Sequence, residues 1–202
     1  MTVSTLLFDL GGVLFELSGA GRICRWTRER LTPEQLLERW LSSAAVRAFE
    51  TGQIDYLVFR SRLKAELGLM ASDSEFTDAF AAWVKGTYPG TEDLLGRLSG
   101  RYRLACFSNT NPFHWEILKR DYQVLPLFDH IFASFQMGRI KPDRAAYFHV
   151  LKALGRPPES ILFFDDSQAN VDAARACGIK ACCVSGIDGV KKALEEYGLR
   201  LN

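Results

Sequence analysis

Thr5-Leu6-Leu7-Phe8-Asp9-Leu10-Gly11-Gly12 is a short apolar run that stops at a carboxylate and opens into a glycine pair. Three more apolar runs of the same length occur, Leu104–Phe107, Ile161–Phe164 and Ala181–Val184, with His130–Ser134 a weaker fifth. Runs this short, without polar alternation, read as strands buried on both faces of a parallel sheet. Helical punctuation lies between most of them. Pro112 suits the first turn of a helix after Thr110 and Asn111. Asp143 can cap a helix that stops at Gly155, Ser167 can open one that stops at Gly178, and Gly198 can end the last. Strand–helix alternation of this kind predicts an α/β fold with a doubly wound parallel sheet.

One region breaks the alternation. From about Gly19 to Gly86 no convincing strand is visible. Thr32-Pro33-Glu34-Gln35 reads as a capping box with proline at the first helical position. Asp55 can cap Tyr56–Leu67, closed by Gly68, and Ser72 or Asp73 can cap Ser74–Lys85, closed by Gly86. Tyr88-Pro89-Gly90 reads as the return to the sheet. The expected layout is an α/β core of residues 1–16 and 88–202 with a helical cap, 17–87, inserted after the first strand.

Composition narrows the function. The chain has 202 residues, 48% hydrophobic and 24% charged, with 25 Lys and Arg against 24 Asp and Glu. That is ordinary globular usage, and a net charge of +1 lacks the basic excess of a nucleic-acid binder. The five cysteines, Cys24, Cys106, Cys177, Cys182 and Cys183, are odd in number and sit mostly in apolar runs, so they are expected to be free thiols. The N-terminus lacks the basic start and longer apolar stretch of a signal peptide, and no run approaches the ~18 apolar residues of a membrane span. These readings point to a cytoplasmic protein.

Ligands in open α/β sheets bind beyond the carboxyl ends of the strands. The polar residues there are Asp9, then Ser108, Asn109 and Thr110, then Lys141 in a loop before a helix, then Asp165 and Asp166. Three carboxylates at one edge repel each other, and a cation resolves the repulsion. A hard divalent ion such as Mg²⁺ takes one or two carboxylates, a carbonyl, waters and a substrate phosphate. One carboxylate can then attack phosphorus. A lysine, a hydroxyl and helix N-terminal amides can hold the phosphate oxygens.

On these residues the chain resembles the haloacid dehalogenase-like (HAD) hydrolase superfamily. Phe8-Asp9-Leu10-Gly11-Gly12-Val13 is similar to its first motif, Phe107-Ser108-Asn109-Thr110 to the second, and Lys141-Pro142 to the third. Phe163-Phe164-Asp165-Asp166-Ser167, with Asn170, is similar to the fourth. More narrowly, Ser108-Asn109-Thr110-Asn111 with His114, together with Tyr147 and His149-Val150-Leu151, resembles the bacterial α-D-glucose-1-phosphate phosphatase branch. The resemblance implies a Mg²⁺-dependent phosphatase working through an aspartyl-phosphate. Asp9 would be nucleophile and metal ligand, and the Gly11 carbonyl a second ligand. Ser108 and the Asn109 amide would bind the phosphoryl group, and Lys141 would neutralise it. Asp166 would be the main acidic ligand, Asp165 a direct or water-mediated one, and Asn170 their support. The partner would be a small phosphorylated metabolite, with no nucleic acid and no membrane, and the chain a monomer or homodimer.

One departure stands out. Phosphatases of this family usually carry a second Asp two residues after the nucleophile, where it moves the proton; here that residue is Gly11. His114, just past the second motif, is the expected substitute and a substrate contact, unless a substrate group on metal-bound water fills the role. Glu50-Thr51-Gly52-Gln53 is the expected specificity loop, with Gln53 as the contact. Trp26 and Trp40 can line the cap side of the pocket or simply pack, and Arg22–Arg30 reads as a solvated helix face. Three other functions stay open. A metal-free 2-haloacid dehalogenase needs no proton for its leaving halide, but leaves Asp165-Asp166 without a cation. A phosphate-responsive receiver domain carries its acid pair after the first strand. A catalytically weak relative that binds a metabolite or partner is favoured by Gly11 alone.

Overall fold

The computed structural model describes residues 2–18 and 21–199, without the side chains of residues 21 and 22. Gly19, where the strand-free stretch is read to begin, and the end of the core piece at residues 200–202 lie outside the described residues.

Five strands, β1 (Thr5–Phe8), β4 (Arg103–Ser108), β5 (His130–Ala133), β6 (Ile161–Asp165) and β7 (Lys180–Cys183), form one parallel sheet in the order β5-β4-β1-β6-β7. β1 lies at its centre, with Phe8 beside Cys106 of β4 and Phe164 of β6. The three strands therefore end together, and the residues after them converge. Alternate side chains feed opposite faces. Leu6, Phe8, Leu104, Cys106, Leu162 and Phe164 pack with α6 (Thr91–Ser99), α7 (Pro112–Asp121) and α11 (Gly186–Glu196). Leu7, Ala105, Phe107 and Phe163 pack with α9 (Arg144–Leu154) and α10 (Gln168–Ala176). Burial on both faces explains why these strands read as unbroken apolar runs.

The insertion holds α1 (Gly21–Cys24), α2 (Pro33–Ser42), α3 (Ala44–Glu50), α4 (Tyr56–Leu67) and α5 (Asp73–Ala81). The capping signals form as read. Thr32 and Gln35 make a reciprocal capping box, as do Ser72 and Glu75, while Asp55 caps Val58 N at 2.9 Å and Gly68 ends α4 with φ 59°. The helices enclose their own core of Leu36, Val46, Phe49, Phe59, Phe76 and Phe80. Trp40 belongs to it, 4.7 Å from Trp83 and 6.1 Å from Phe59, so Trp40 is a packing residue. Trp26 packs against the same core.

Two expectations are corrected. The helix expected over Ser74–Lys85 stops at Ala81, and Val84–Thr87 is instead a strand, β3, antiparallel to β2 (Phe15–Leu17). The Ser18 hydroxyl donates to Ala82 O at 2.8 Å, and Lys85 pairs with Glu16 at 2.7 Å across the ribbon. The partners of that ion pair lie 69 residues apart, so nothing local announces the pairing. Asp143 precedes α9 without capping it; its carboxylate binds Arg47 of α3 instead. All five cysteines are free, as expected: Cys24, Cys106 and Cys177 are buried, Cys182 is half-buried and Cys183 is exposed. Among the described residues no helix is long and apolar enough to cross a membrane.

Candidate active site

Asp9 follows β1 and is held by its backbone: its N–H donates to Phe164 O at 2.9 Å, and its Oδ1 accepts from Leu10 N–H at 2.7 Å. Asp165 ends β6 with no exposed surface, and Asp166 follows it. Oxygens of Asp9, Asp165 and Asp166 lie within 4.8 Å of one another. Lys141 sits among them, 3% exposed, with Nζ 2.6 Å from Asp165 Oδ2, 3.1 Å from Asp9 Oδ1 and 2.9 Å from the Phe107 carbonyl. Burial alone would lower the Lys141 pKa; Asp9 and Asp165 outweigh it, so the pKa is raised and the ammonium is held charged. Burial pushes Asp9 up to about 7; Lys141 and the Ser108 hydroxyl pull it down, while Asp165 and Asp166 push it further up. One lysine does not balance three carboxylates.

The loops that carry these groups are tied together. Asn109 Nδ2 donates to Lys141 O at 2.9 Å, and its Oδ1 accepts from Lys141 N–H at 2.8 Å. The Asn109 side chain is thus a clamp on the lysine's backbone. Ser134, after β5, does the same for the second motif: its hydroxyl accepts from Thr110 N–H at 2.9 Å and donates to Thr110 O at 2.8 Å. Sequence reading missed Ser134, which carries no local signal beyond its place after a weak strand. Asp165 Oδ1 accepts from Ser167 N–H and from Asn170 Nδ2, both at 2.9 Å, and the Tyr147 hydroxyl donates to Asn170 O at 2.8 Å. With Asp165 engaged on both oxygens, Asp166 is the freer carboxylate. Gly12 makes room for it: φ is 71°, and a Cβ there would lie 2.1 Å from Asp166 Oδ2.

Ser108 ends β4, 3% exposed, beside Asp9. His114 is not free to work there. Its backbone N–H is capped by Asn111 Oδ1 at 3.0 Å, its Nδ1 meets Asn111 Nδ2 at 3.2 Å, and its Nε2 lies 2.7 Å from Phe80 O. The ring therefore donates to a cap carbonyl and accepts from Asn111, and burial lowers its pKa to about 4. Both nitrogens are occupied, which removes His114 as the expected proton carrier and substrate contact. Gln53 is exposed, with its backbone N–H on Ala48 O. The cap residue whose charge couples to Asp9 and Lys141 is Glu50.

Three hard oxygen donors with two uncompensated negative charges fit a divalent cation of the Mg²⁺ class. The HAD family enzyme of Bacteroides thetaiotaomicron solved with magnesium and inorganic phosphate is 26% identical, with a TM-score of 0.74 over 91% of this chain and 94% of that one. A phosphatase of Mycobacterium tuberculosis is 31% identical over all of this chain and 98% of its own length. A drimenol cyclase of Aspergillus calidoustus is 28% identical over 95% of this chain, which spans 36% of that protein. Residues 3–178 match the family model of the haloacid dehalogenase-like hydrolases, and the chain belongs to that family.

Proposed function

We propose that this chain is a Mg²⁺-dependent phosphomonoesterase acting on a small phosphorylated metabolite such as a sugar phosphate. The observation that carries the reading is the trio Asp9, Asp165 and Asp166 closed around Lys141 at the carboxyl edge of the sheet. Asp9 and Asp165, buried beside one lysine and next to exposed Asp166, are costly unless a cation and an anionic substrate complete the site. A metal-free dehalogenase leaves that cost unmet.

Asp9 is the nucleophile: a carboxylate oxygen attacks phosphorus and the ester oxygen leaves. Lys141 neutralises Asp9 and the transferring phosphoryl group. The Ser108 hydroxyl and the amide of Asn109 receive phosphoryl oxygens, and their fixed placement avoids reorganisation during reaction. Asp9, Asp166 and the Gly11 carbonyl would hold the Mg²⁺, with Asp165 beside them; when bound, the ion offsets the charge of carboxylates and phosphate and orients the ester. Asp9 is 8% exposed and Ser108 3%, while Asp166 is exposed, and cap opening would widen the approach to them.

The test is phosphate release from sugar phosphates, nucleotides and p-nitrophenyl phosphate, with Mg²⁺ and with EDTA, beside an Asp9→Asn control. Release that needs the metal and disappears in the control is expected. Silence on every ester, or chloroacetate turnover without metal, would overturn the reading.

A further inference from the structure

Gly11 leaves the reaction without its expected proton carrier, and His114 is committed elsewhere. The geometry points to the other side of the cleft. α3 is seated on the core at two places. Arg47 binds Asp143, two residues past Lys141. Gly52, with φ 71°, comes so close to α8 (Ser134–Met137), the short helix after β5, that a Cβ would lie 2.5 Å from Phe135 O. Between these anchors lies Glu50, the last residue of α3, followed by buried Thr51, whose hydroxyl donates to Arg47 O at 2.7 Å.

Glu50 is half-buried, and among the described residues its carboxylate has no hydrogen bond or ion pair. The charges that act on it are Asp9 and Lys141, from the core beneath; Arg47, one turn back on its own helix, is taken by Asp143. A half-buried carboxylate without a partner is destabilising. Its place between the Arg47–Asp143 pair and the Gly52–Phe135 approach puts it on the cap side of the cleft, within reach of the charges of Asp9 and Lys141.

We propose that Glu50 protonates the leaving oxygen and then deprotonates the attacking water, the work that Gly11 cannot do. The inference rests on the phosphatase reading above. In the first half, Asp9 bonds to phosphorus, the P–O bond to the alcohol breaks, and the Glu50 proton goes to that oxygen. In the second, water bonds to phosphorus, its proton goes to the Glu50 carboxylate, and the P–O bond to Asp9 breaks. The enzyme returns to its starting protonation, and phosphate and alcohol leave. Burial, with Asp9 adding to it and Lys141 opposing, brings the Glu50 pKa to about 7, so both forms are available near neutrality.

The experiment compares the full-length wild type with Glu50→Gln and Glu50→Asp in Mg²⁺. The two substrates are an alkyl phosphate, whose leaving oxygen needs a proton, and p-nitrophenyl phosphate, whose phenolate does not. For Glu50→Gln, kcat on the alkyl ester should fall by roughly 10²–10³ with little change in KM. On p-nitrophenyl phosphate the variant should release one equivalent of nitrophenolate rapidly and then stall as phosphoenzyme, because the water step has lost its base. Glu50→Asp should retain the wild-type pH limb at reduced rate. The Tm of Glu50→Gln at pH 8 should equal or exceed wild type, since a neutral amide is cheaper to enclose. Alkyl turnover within threefold of wild type, a loss confined to KM, an absent nitrophenolate burst or a Tm lower by several degrees would each overturn the assignment. A wild type silent on every phosphate ester would instead sink the phosphatase reading, and Glu50's role with it.

Discussion

The side-chain amide of Asn109 spans the backbone of Lys141, donating to its carbonyl at 2.9 Å and accepting from its N–H at 2.8 Å. The second motif thereby sets the position of the third, and the ammonium 34 residues beyond Phe107 meets that residue's carbonyl, Asp9 and Asp165 together. Asn109→Ala removes both bonds. We expect a stability loss of about 1–3 kcal/mol by chemical denaturation. The kcat should fall by about 10², because a displaced ammonium no longer meets the developing charge. Full kcat in a folded Asn109→Ala protein would contradict the clamp.

Gly12→Ala puts a methyl group where Asp166 Oδ2 lies, at a φ of 71° that L residues avoid. Backbone strain of this kind costs about 1–3 kcal/mol. The carboxylate must also move, so the Mg²⁺ concentration needed for half-maximal activity should rise at least tenfold. An unchanged Mg²⁺ dependence would place the ion away from Asp166.

His114 makes stability depend on acid in a defined sense. Its folded pKa, about 4, lies below the ordinary value of 6.5, because burial disfavours the imidazolium. Between those values the unfolded chain binds the extra proton, so stability rises with pH through that window and is lost as pH falls from 6.5 towards 4. His114→Gln keeps a donor for Phe80 O and removes the titration. Its Tm should fall less steeply than wild type between about pH 6.5 and 4.5; parallel Tm curves would refute this.

Gly52→Ala tests the seat of the cap. The methyl group would meet Phe135 O at 2.5 Å, and φ is again positive. The helical cap keeps its own core of Phe49, Phe59 and Phe80, so the fold should persist. The kcat/KM should drop by at least tenfold while far-ultraviolet circular dichroism stays unchanged. Activity equal to wild type would show that α3 does not need its close approach to the core.

Features built from neighbours in the chain were legible in the amino-acid sequence. The sheet strands appear within a residue or so of their apolar runs, because burial on both faces writes an unbroken apolar segment. Thr32, Asp55 and Ser72 cap their helices as read, since capping is a contact across three residues. The candidate residues Asp9, Ser108, Lys141, Asp165 and Asp166 could be named because parallel strands deliver the loops at their carboxyl ends to one edge.

Tertiary structure decided the contacts whose partners lie far apart in the chain. Val84–Thr87 is a strand because Phe15–Leu17 pairs with it. Asp143 leaves its helix for Arg47, and His114 gives its ring to Phe80 O and Asn111. Glu50 and Gly52 face the core because α3 docks there, although their sequence reads only as a helix end and a turn. The physical reason is common to all of these. A polar side chain has several partners of similar energy within reach, and the choice among them depends on which surfaces the packed layers bring together.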